Sequence, residues 1–393
     1  MEPLGPPVPL TTIAREWGRI GCIGFGGPPA HISLLRKLCV QEKGWLTADE
    51  FEDAIAATNL LPGPASTQLA IYCAWRLRGR AGALLGGLCF IVPGLALILA
   101  LAALFLARHR PLWVSGAAAG AGSAVAAVAV NAAFSLVPSS WRRAGSSSSN
   151  RARWAVYALA GAASAVLIGP YLVLVLLSAG LAEVALRSRD IRASNGEGPS
   201  AHAGGLASLI AAVAPVGGLA ALAWESFKVG ALSYGGGFVI VPLMQHDVVH
   251  RYHWMSAGEF LNAVALGQVT PGPVVQTVAV VGYAVHRLGG GLLAALIAFA
   301  PSFCFVLLGG SQFGKLRANP WAQAFLTGAG PAAIGAIAGS ALPLASALTH
   351  AWQFGLLGAV AVWALLLRRN VVIGLLGAGA VGVVAAFAGL PVT

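Results

Sequence analysis

Charged residues are scarce in this chain. Asp, Glu, Lys and Arg together make up 9% of its 393 residues, whereas soluble globular domains contain roughly 25%. Only 13 of the residues are acidic. This composition excludes an ordinary soluble domain. It also argues against an enzyme, because acid–base or metal catalysis needs a concentrated cluster of ionisable groups.

Cysteine patterns that would indicate a metal site or a disulfide are also missing. The five cysteines lie far apart without any Cys-x-x-Cys pair, so we interpret them as small buried apolar residues. His246, His250 and His253 follow helical spacing and could hold a metal. No acidic or cysteine cluster reinforces them, which favours the end of a helix at the membrane surface. We therefore predict no metal site and no cofactor.

Apolar residues dominate instead, at 58% of the chain. Segments of about 20 apolar residues are long enough to cross a bilayer, and four occur, at 81–107, 112–137, 290–311 and 321–346. The net charge of +11 comes from arginines near predicted helix ends, as membrane topology requires. These features predict a multi-pass membrane protein whose partner is the lipid bilayer and not nucleic acid. The N-terminus shows no pattern of a cleavable signal peptide.

One block of sequence occurs twice, 209 residues apart. Its three parts are Gly21–Gly27 with Gly230–Gly236, Trp45–Phe51 with Trp254–Phe260, and Leu61–Pro64 with Thr270–Pro273. Each copy therefore contains two Gly/Pro clusters that interrupt an apolar helix. Duplicated membrane proteins with interrupted helices in matching positions are typical of secondary transporters.

The distribution of arginine predicts opposite orientations for the two copies. Arginine-rich loops alternate with arginine-poor ones in the first half, and in the second half the excess moves to the other set of loops. The predicted fold is an all-α polytopic membrane protein with two homologous, inverted-topology repeats, built from Gly/Pro-broken helices or re-entrant hairpins. The predicted parts are an N-terminal repeat (1–186), a polar linker (187–203), a connecting transmembrane helix (204–222) and a C-terminal repeat (223–393).

The four breaks point to a shared central site. Irregular backbone at membrane depth persists only where protein buries it or where it lines a wet cavity. We expect Pro28, Pro64 and Pro273 to open helices, whose free amides would attract an anion. The alternative is that Gly and Pro only permit tight helix crossings. The predicted substrate-binding residues at these breaks are Gly26, Gly27, Asn59, Pro62, Gly63, Pro64, Ser66, Thr67, Gln68, Gly235, Gly236, Gln268, Pro271, Gly272, Pro273 and Gln276.

Arg19 and Lys228 occupy equivalent positions in apolar surroundings, two residues before the shared glycine. Intramembrane cations are costly and usually functional, so both are predicted to attract an anion. The alternative is that each reaches the interface, or pairs with the equivalent acids Glu16 and Glu225 three residues earlier. These two acids, together with Asp53, are the candidates for proton coupling.

Two other acidic residues have a structural interpretation. Thr47 with Glu50, and Ser256 with Glu259, match the pattern of a capping box at the start of a helix. His31 has no counterpart in the second half, and it either titrates near neutrality or simply packs.

The motifs also carry a family resemblance. GFGGPPAHI (24–32), WLTADEF (45–51) and LLPGPASTQLAIYCAW (60–75) closely resemble the chromate ion transporter family. YGGGFVIVPL (234–243) and QVTPGPV (268–274) resemble the second half of its long, two-domain members. The resemblance implies an inner-membrane transporter that exports chromate, confers chromate resistance and uses the proton-motive force.

The resemblance leaves the substrate open. The family pattern usually has an acidic residue just after LPGP, where this chain has Ala65 and Ser66. Chromate and sulfate are both tetrahedral dianions, so a transporter or channel for another oxyanion such as sulfate is the alternative. The sequence also leaves a homo-oligomer open.

Overall fold

The structure is a computed structural model, and it describes residues 8–59, 61, 63–167, 172–195, 217–233, 238–310 and 319–392. Within these ranges all regular secondary structure is helical. Four of the described helical segments are long and apolar enough to cross a membrane: Ala65–Phe105, Leu112–Ala144, Val274–Gly309 and Pro320–Ser346. Each overlaps one predicted apolar stretch. The predicted all-α, polytopic membrane architecture is confirmed.

Eight α-helices are described in the first half. They are α1 (Leu10–Ile23), α2 (Pro28–Arg36), α3 (Ala48–Thr58), α4 (Ala65–Phe105), α5 (Leu112–Ser123), α6 (Val125–Ala144), α7 (Ser148–Leu167) and α8 (Leu172–Asn195). A π-helical turn, Lys37–Glu42, extends α2. Helix α4 changes direction at Arg78 and Gly79, whose backbone angles are not helical. Helix α8 continues into the predicted 187–203 linker.

The second half repeats this order. Its described helices are α9 (Gly218–Leu232), α10 (Ile240–His246), α11 (Ala257–Val269), α12 (Thr277–Gly309), α13 (Pro320–Ser346), α14 (Ala351–Ala361) and α15 (Val371–Phe387). A π-helical turn again follows the second helix, and α12 changes direction at His286 and Arg287. The duplication of the two halves stays a prediction. Most of the predicted connecting helix (204–222) lies outside the described residues.

The helices flanking the first break are short. Helix α1 has 14 residues and α2 has 9, fewer than the 20 or so that a full crossing needs. The chain turns between them at Gly26 and Gly27, which have φ values of 98° and 72°. Short arms around a tight turn favour the predicted re-entrant hairpin. The inverted orientation of the two halves stays a prediction.

Both predicted capping boxes are confirmed. The Thr47 hydroxyl accepts from the Glu50 amide while the Glu50 carboxylate accepts from the Thr47 amide, and Ser256 and Glu259 do the same. Glu50 also pairs with Arg76 of α4 at 2.6 Å. Burial raises the pKa of Glu50, but the hydrogen bonds from Thr47 and Arg76 outweigh it and leave that pKa below its usual value.

Two expectations about cysteine and histidine are wrong in part. Cys39 and Cys73 are buried, but Cys22 and Cys304 are exposed, so the expectation of buried cysteines is wrong for these two. His253 lies beyond the π-helical turn Asp247–Arg251, in a positive-φ conformation, so the three histidines do not share one helix face.

Several helices of each half pack against helices of the other half. Helix α13 of the second half packs against α6, α7 and α8, while α5 of the first half packs against α15, and α4 packs against α12. Glycine permits this close approach, since Gly335 of α13 lies against the backbone of Ala158 and Gly116 of α5 against that of Gly382. Helices of the two halves are therefore packed against one another over several contacts.

Candidate functional site

The breaks of the two halves meet at the centre of the molecule. The Gly272 amide, in the second break of the second half, donates to the Gly24 carbonyl in the first break of the first half at 3.0 Å. Reciprocally, a Cβ placed on Gly63 would stand 3.2 Å from the carbonyl oxygen of Gly230. The first break of each half therefore contacts the second break of the other half, and the irregular segments predicted to share a site are brought together.

Gly63 and Gly272 are equivalent, and both need glycine. Their φ values are 116° and 99°, in the region that side chains with a Cβ rarely adopt. A glutamine side chain covers each of them. The Nε2 atom of Gln68 lies 2.6 Å from the Cβ position of Gly63, and that of Gln276 lies 3.1 Å from the Cβ position of Gly272. A substituted residue would therefore strain the backbone and displace a predicted site residue.

The prolines at the breaks do not all stand where the sequence suggested. Pro28 is the first residue of α2, as predicted. Pro64 and Pro273 instead precede the first helical residue with extended backbone angles. Their carbonyls accept from the Thr67 and Gln276 amides at 3.0 and 2.9 Å, so those two amides are not free as predicted.

The start of α4 still has the character of an anion site. The amides of Ala65 and Ser66 occupy the first turn, where no acceptor exists within the helix. A helix start also carries partial positive charge. Ser66 lies 3.2 Å from Nδ1 of His31, whose Nε2–H donates to the Gly24 carbonyl at 2.8 Å. Of the two interpretations of His31, the structure shows the packed one, with this ring holding two breaks together.

Two predicted glutamines in the second half are also buried. The Gln276 Nε2 atom donates to the Ile91 carbonyl of α4 at 2.8 Å, while its Oε1 atom has no partner among the described residues. Gln268 is buried near the end of α11, and its Nε2 atom likewise lacks a described partner. Its equivalent, Asn59, is half-buried.

A cavity of about 110 Å³ opens at the first-half break. Asn59 and Gly63 line it together with Ser139 and Arg143 of α6 and part of α13. It combines amide, hydroxyl and guanidinium donors beside the start of α4, the donor set that an oxyanion requires. Sequence reasoning missed Ser139 and Arg143, because they lie outside the repeated block. The arginine at the end of an apolar span was the available signal.

A second cavity of about 400 Å³ lies at the other end of the α5–α6 pair. Arg110, Ser256, Asn262 and Gln353 are among its lining residues. It contacts α5 at residues 115–123, whereas the first cavity contacts α6 at residues 136–143. The two cavities therefore lie at opposite ends of the apolar segment Leu112–Ala144.

The two predicted cations are paired with acids. Arg19 contacts Glu16 at 3.1 Å, and Lys228 contacts Glu225 at 2.8 Å and Asp247 at 2.5 Å. Both cations therefore match the alternative in which each pairs with the acid three residues earlier. The Lys228 side chain is 9% exposed but that of Arg19 is 53% exposed, so the prediction of apolar surroundings is wrong for Arg19. Asp247 was missed because its equivalent in the first half is a leucine.

Some predicted site residues lie elsewhere. Asp53 is exposed on α3. Pro62, Gly235 and Gly236 lie outside the described residues. Pro271 and Pro273 flank Gly272. The Pro271 carbonyl lies directly against Gly94 of α4, so no residue larger than glycine fits at position 94.

Known proteins resemble this chain over most of its length. The sequence profile described as chromate transporter matches residues 11–184 and 220–383. A chromate transport protein of Cupriavidus metallidurans is 31% identical over 348 residues, covering 86% of this chain and 84% of that protein. A chromate transport protein of Pseudomonas aeruginosa is 28% identical over 400 residues, covering 97% and 94% respectively.

No solved structure matches the chain. The family profile covers both halves, and it spans all the described breaks. The chain is therefore a member of the chromate transporter family.

Proposed function

We propose that this protein is a secondary active transporter that exports chromate from the cytoplasm across the inner membrane and so confers chromate resistance. Family membership and the names of the relatives support the substrate. The scarcity of acid–base clusters argues for transport without chemical conversion. We further propose that residues 1–186 and 223–393 form two repeats of opposite orientation, which provide a site at their interface.

The observation that carries the proposal is the crossing of the breaks between the halves. Gly272 bonds to Gly24, and Gly63 packs on Gly230, so irregular backbone from both halves surrounds one point. The start of α4 faces the same region, and Arg143 lines the adjacent cavity. Anions bind where helix starts and arginine donors converge.

Export against a gradient needs an energy source, and we propose protons. Glu225 is buried beside Lys228 and Asp247, and Glu16 is buried beside Arg19. Buried carboxylates in a membrane protein are frequent proton carriers. The exposed position of Asp53 makes it the weakest of the three candidates.

Sulfate is the alternative substrate, since it has the same charge and tetrahedral shape. Hydrogen-bond donors at the breaks would serve either anion. A transporter or channel for sulfate would therefore keep the same site and differ in selectivity.

Uptake into inverted membrane vesicles tests the proposal. We expect accumulation of chromate that requires a proton gradient and that excess sulfate suppresses only in part. Sulfate uptake without chromate uptake would assign the alternative substrate, and the absence of any oxyanion flux would refute both. The variant Arg143→Ala should lower uptake, whereas Arg142→Ala, its exposed neighbour outside the cavity lining, serves as the matched control.

A further inference from the structure

Three buried hydroxyl groups differ from other buried hydroxyls of the described residues in their hydrogen bonding. In apolar surroundings a helical Ser or Thr usually donates to a carbonyl one turn earlier. Ser226 and Ser340 do so, each at 2.7 Å. Thr67, Ser233 and Ser302 are fully buried, yet their hydroxyl oxygens form no hydrogen bond with any described residue. A buried hydroxyl without a partner is destabilising, so these three require an explanation.

The three hydroxyls lie around the crossing of the breaks. The Ser302 oxygen is 3.4 Å from the position that a Cβ on Gly63 would take, beside the Gly230 carbonyl. Ser233 is one turn beyond Gly230, at the end of α9. Thr67 is in the first turn of α4, shortly after Gly63. Three separate elements from both halves thus each carry, close to the crossing, a buried hydroxyl without a partner among the described residues.

We propose that Thr67, Ser233 and Ser302 bind the transported oxyanion directly, as an uncharged binding site between the two halves. The inference rests on the proposed function and specifies its substrate contacts. A tetrahedral dianion offers acceptors only, and each hydroxyl can donate one hydrogen bond to it. The amides at the start of α4 add donors and partial positive charge on the same side.

Neutral donors suit a transport site. A buried arginine or lysine pairs strongly with a dianion and slows its release, whereas hydroxyls bind it without a full counter-charge. Binding of the anion would supply hydrogen bonds to three hydroxyls that have no partner among the described residues. Hydroxyl oxygens also coordinate sodium, so a cation is the competing occupant that the experiment must distinguish.

The test uses the variants Ser302→Ala, Ser233→Ala and Thr67→Val in the full-length protein. We expect each to raise the KM for oxyanion uptake by about tenfold to hundredfold, the effect of losing one hydrogen bond to a charged group. The thermal unfolding midpoint without ligand should stay equal or rise, since an unsatisfied group is removed. A merely structural role predicts an unchanged KM and a lower unfolding midpoint. Ser340→Ala and Ser226→Ala are the controls, because they remove a bonded hydroxyl and should leave KM unchanged.

Ligand-induced stabilisation separates failure of this inference from failure of the proposed function. We expect chromate or sulfate to raise the unfolding midpoint of the wild type but not of the three variants. Stabilisation of the wild type and the variants alike would overturn the inference, as would stabilisation by sodium alone with no effect of the anion. Wild type that binds an oxyanion through these hydroxyls but does not transport it would refute only the proposed function.

Discussion

The contact between α1 and α4 can be tested with two glycines of the same helix. A Cβ on Gly21 would stand 2.7 Å from the Phe90 carbonyl oxygen and 2.9 Å from that of Cys89, both rigid backbone atoms. Ordinary contact begins at 3.4 Å, so Gly21→Ala must move the helices apart by about 0.7 Å. Overpacking of this kind costs about 1–3 kcal/mol. A Cβ on Gly18, three residues earlier, would meet nothing within 4 Å.

Gly18→Ala is the matched control because both substitutions gain the same helix propensity, about 1 kcal/mol. The difference in unfolding free energy between the two variants therefore isolates the contact, and we expect about 1–3 kcal/mol in favour of Gly18→Ala. Denaturant titration in detergent, followed by tryptophan fluorescence, measures it. Equal stability of the two variants would show that α1 and α4 are not packed as described.

Three further predictions concern polar contacts. Lys228→Met removes the cation that contacts the buried Glu225 and leaves Asp247 with its longer contact to Arg251, at 3.9 Å, so it should cost about 3–5 kcal/mol. Arg19→Met, at a largely exposed side chain, should cost less than about 1 kcal/mol in the same titration. Glu50→Gln should lower the thermal unfolding midpoint at pH 7, because it removes the ion pair with Arg76. Since the pKa of Glu50 is lowered in the folded protein, the difference in midpoint between wild type and variant should vanish as pH falls below that pKa. Glu259→Gln is the control, because Glu259 has the same capping box without the arginine, and it should show little change. Trp17→Phe removes a buried 2.8 Å hydrogen bond to a carbonyl of α4 and should cost about 1–3 kcal/mol by thermal unfolding.

Local features of the fold were predictable from the sequence. The capping boxes at Thr47 and Ser256 depend on residues three positions apart, and the structure shows both. The four long apolar segments follow from length and composition alone. The positions of the helix breaks at Gly26 and Gly63 follow from the Gly/Pro clusters. Each of these signals acts within a few residues or repeats along the chain.

Contacts between distant elements were not predictable in the same way. Asp247 contacts Lys228, but the residue equivalent to Asp247 in the first half is Leu38. Comparison of the two halves therefore did not indicate a role for Asp247. Ser302 follows a proline inside a long apolar helix and looks like a packing residue until Gly63 is placed beside it. Such residues are identified by the residues that they contact in the fold, and for Ser302 the contacting residue, Gly63, belongs to the other half.

The crossed contacts constrain how the two halves can move. The Gly24–Gly272 hydrogen bond and the Gly63–Gly230 contact each join one half to the other, so a displacement of one half changes both at once. The cavities lined by Arg143 and Arg110 lie at opposite ends of the α5–α6 span, and both also contact the region of α13 and its following turn. A tilt of α13 against that span would open one cavity as it closes the other. In the proposed transport cycle, such a tilt about the contacts between the breaks would need no local unfolding.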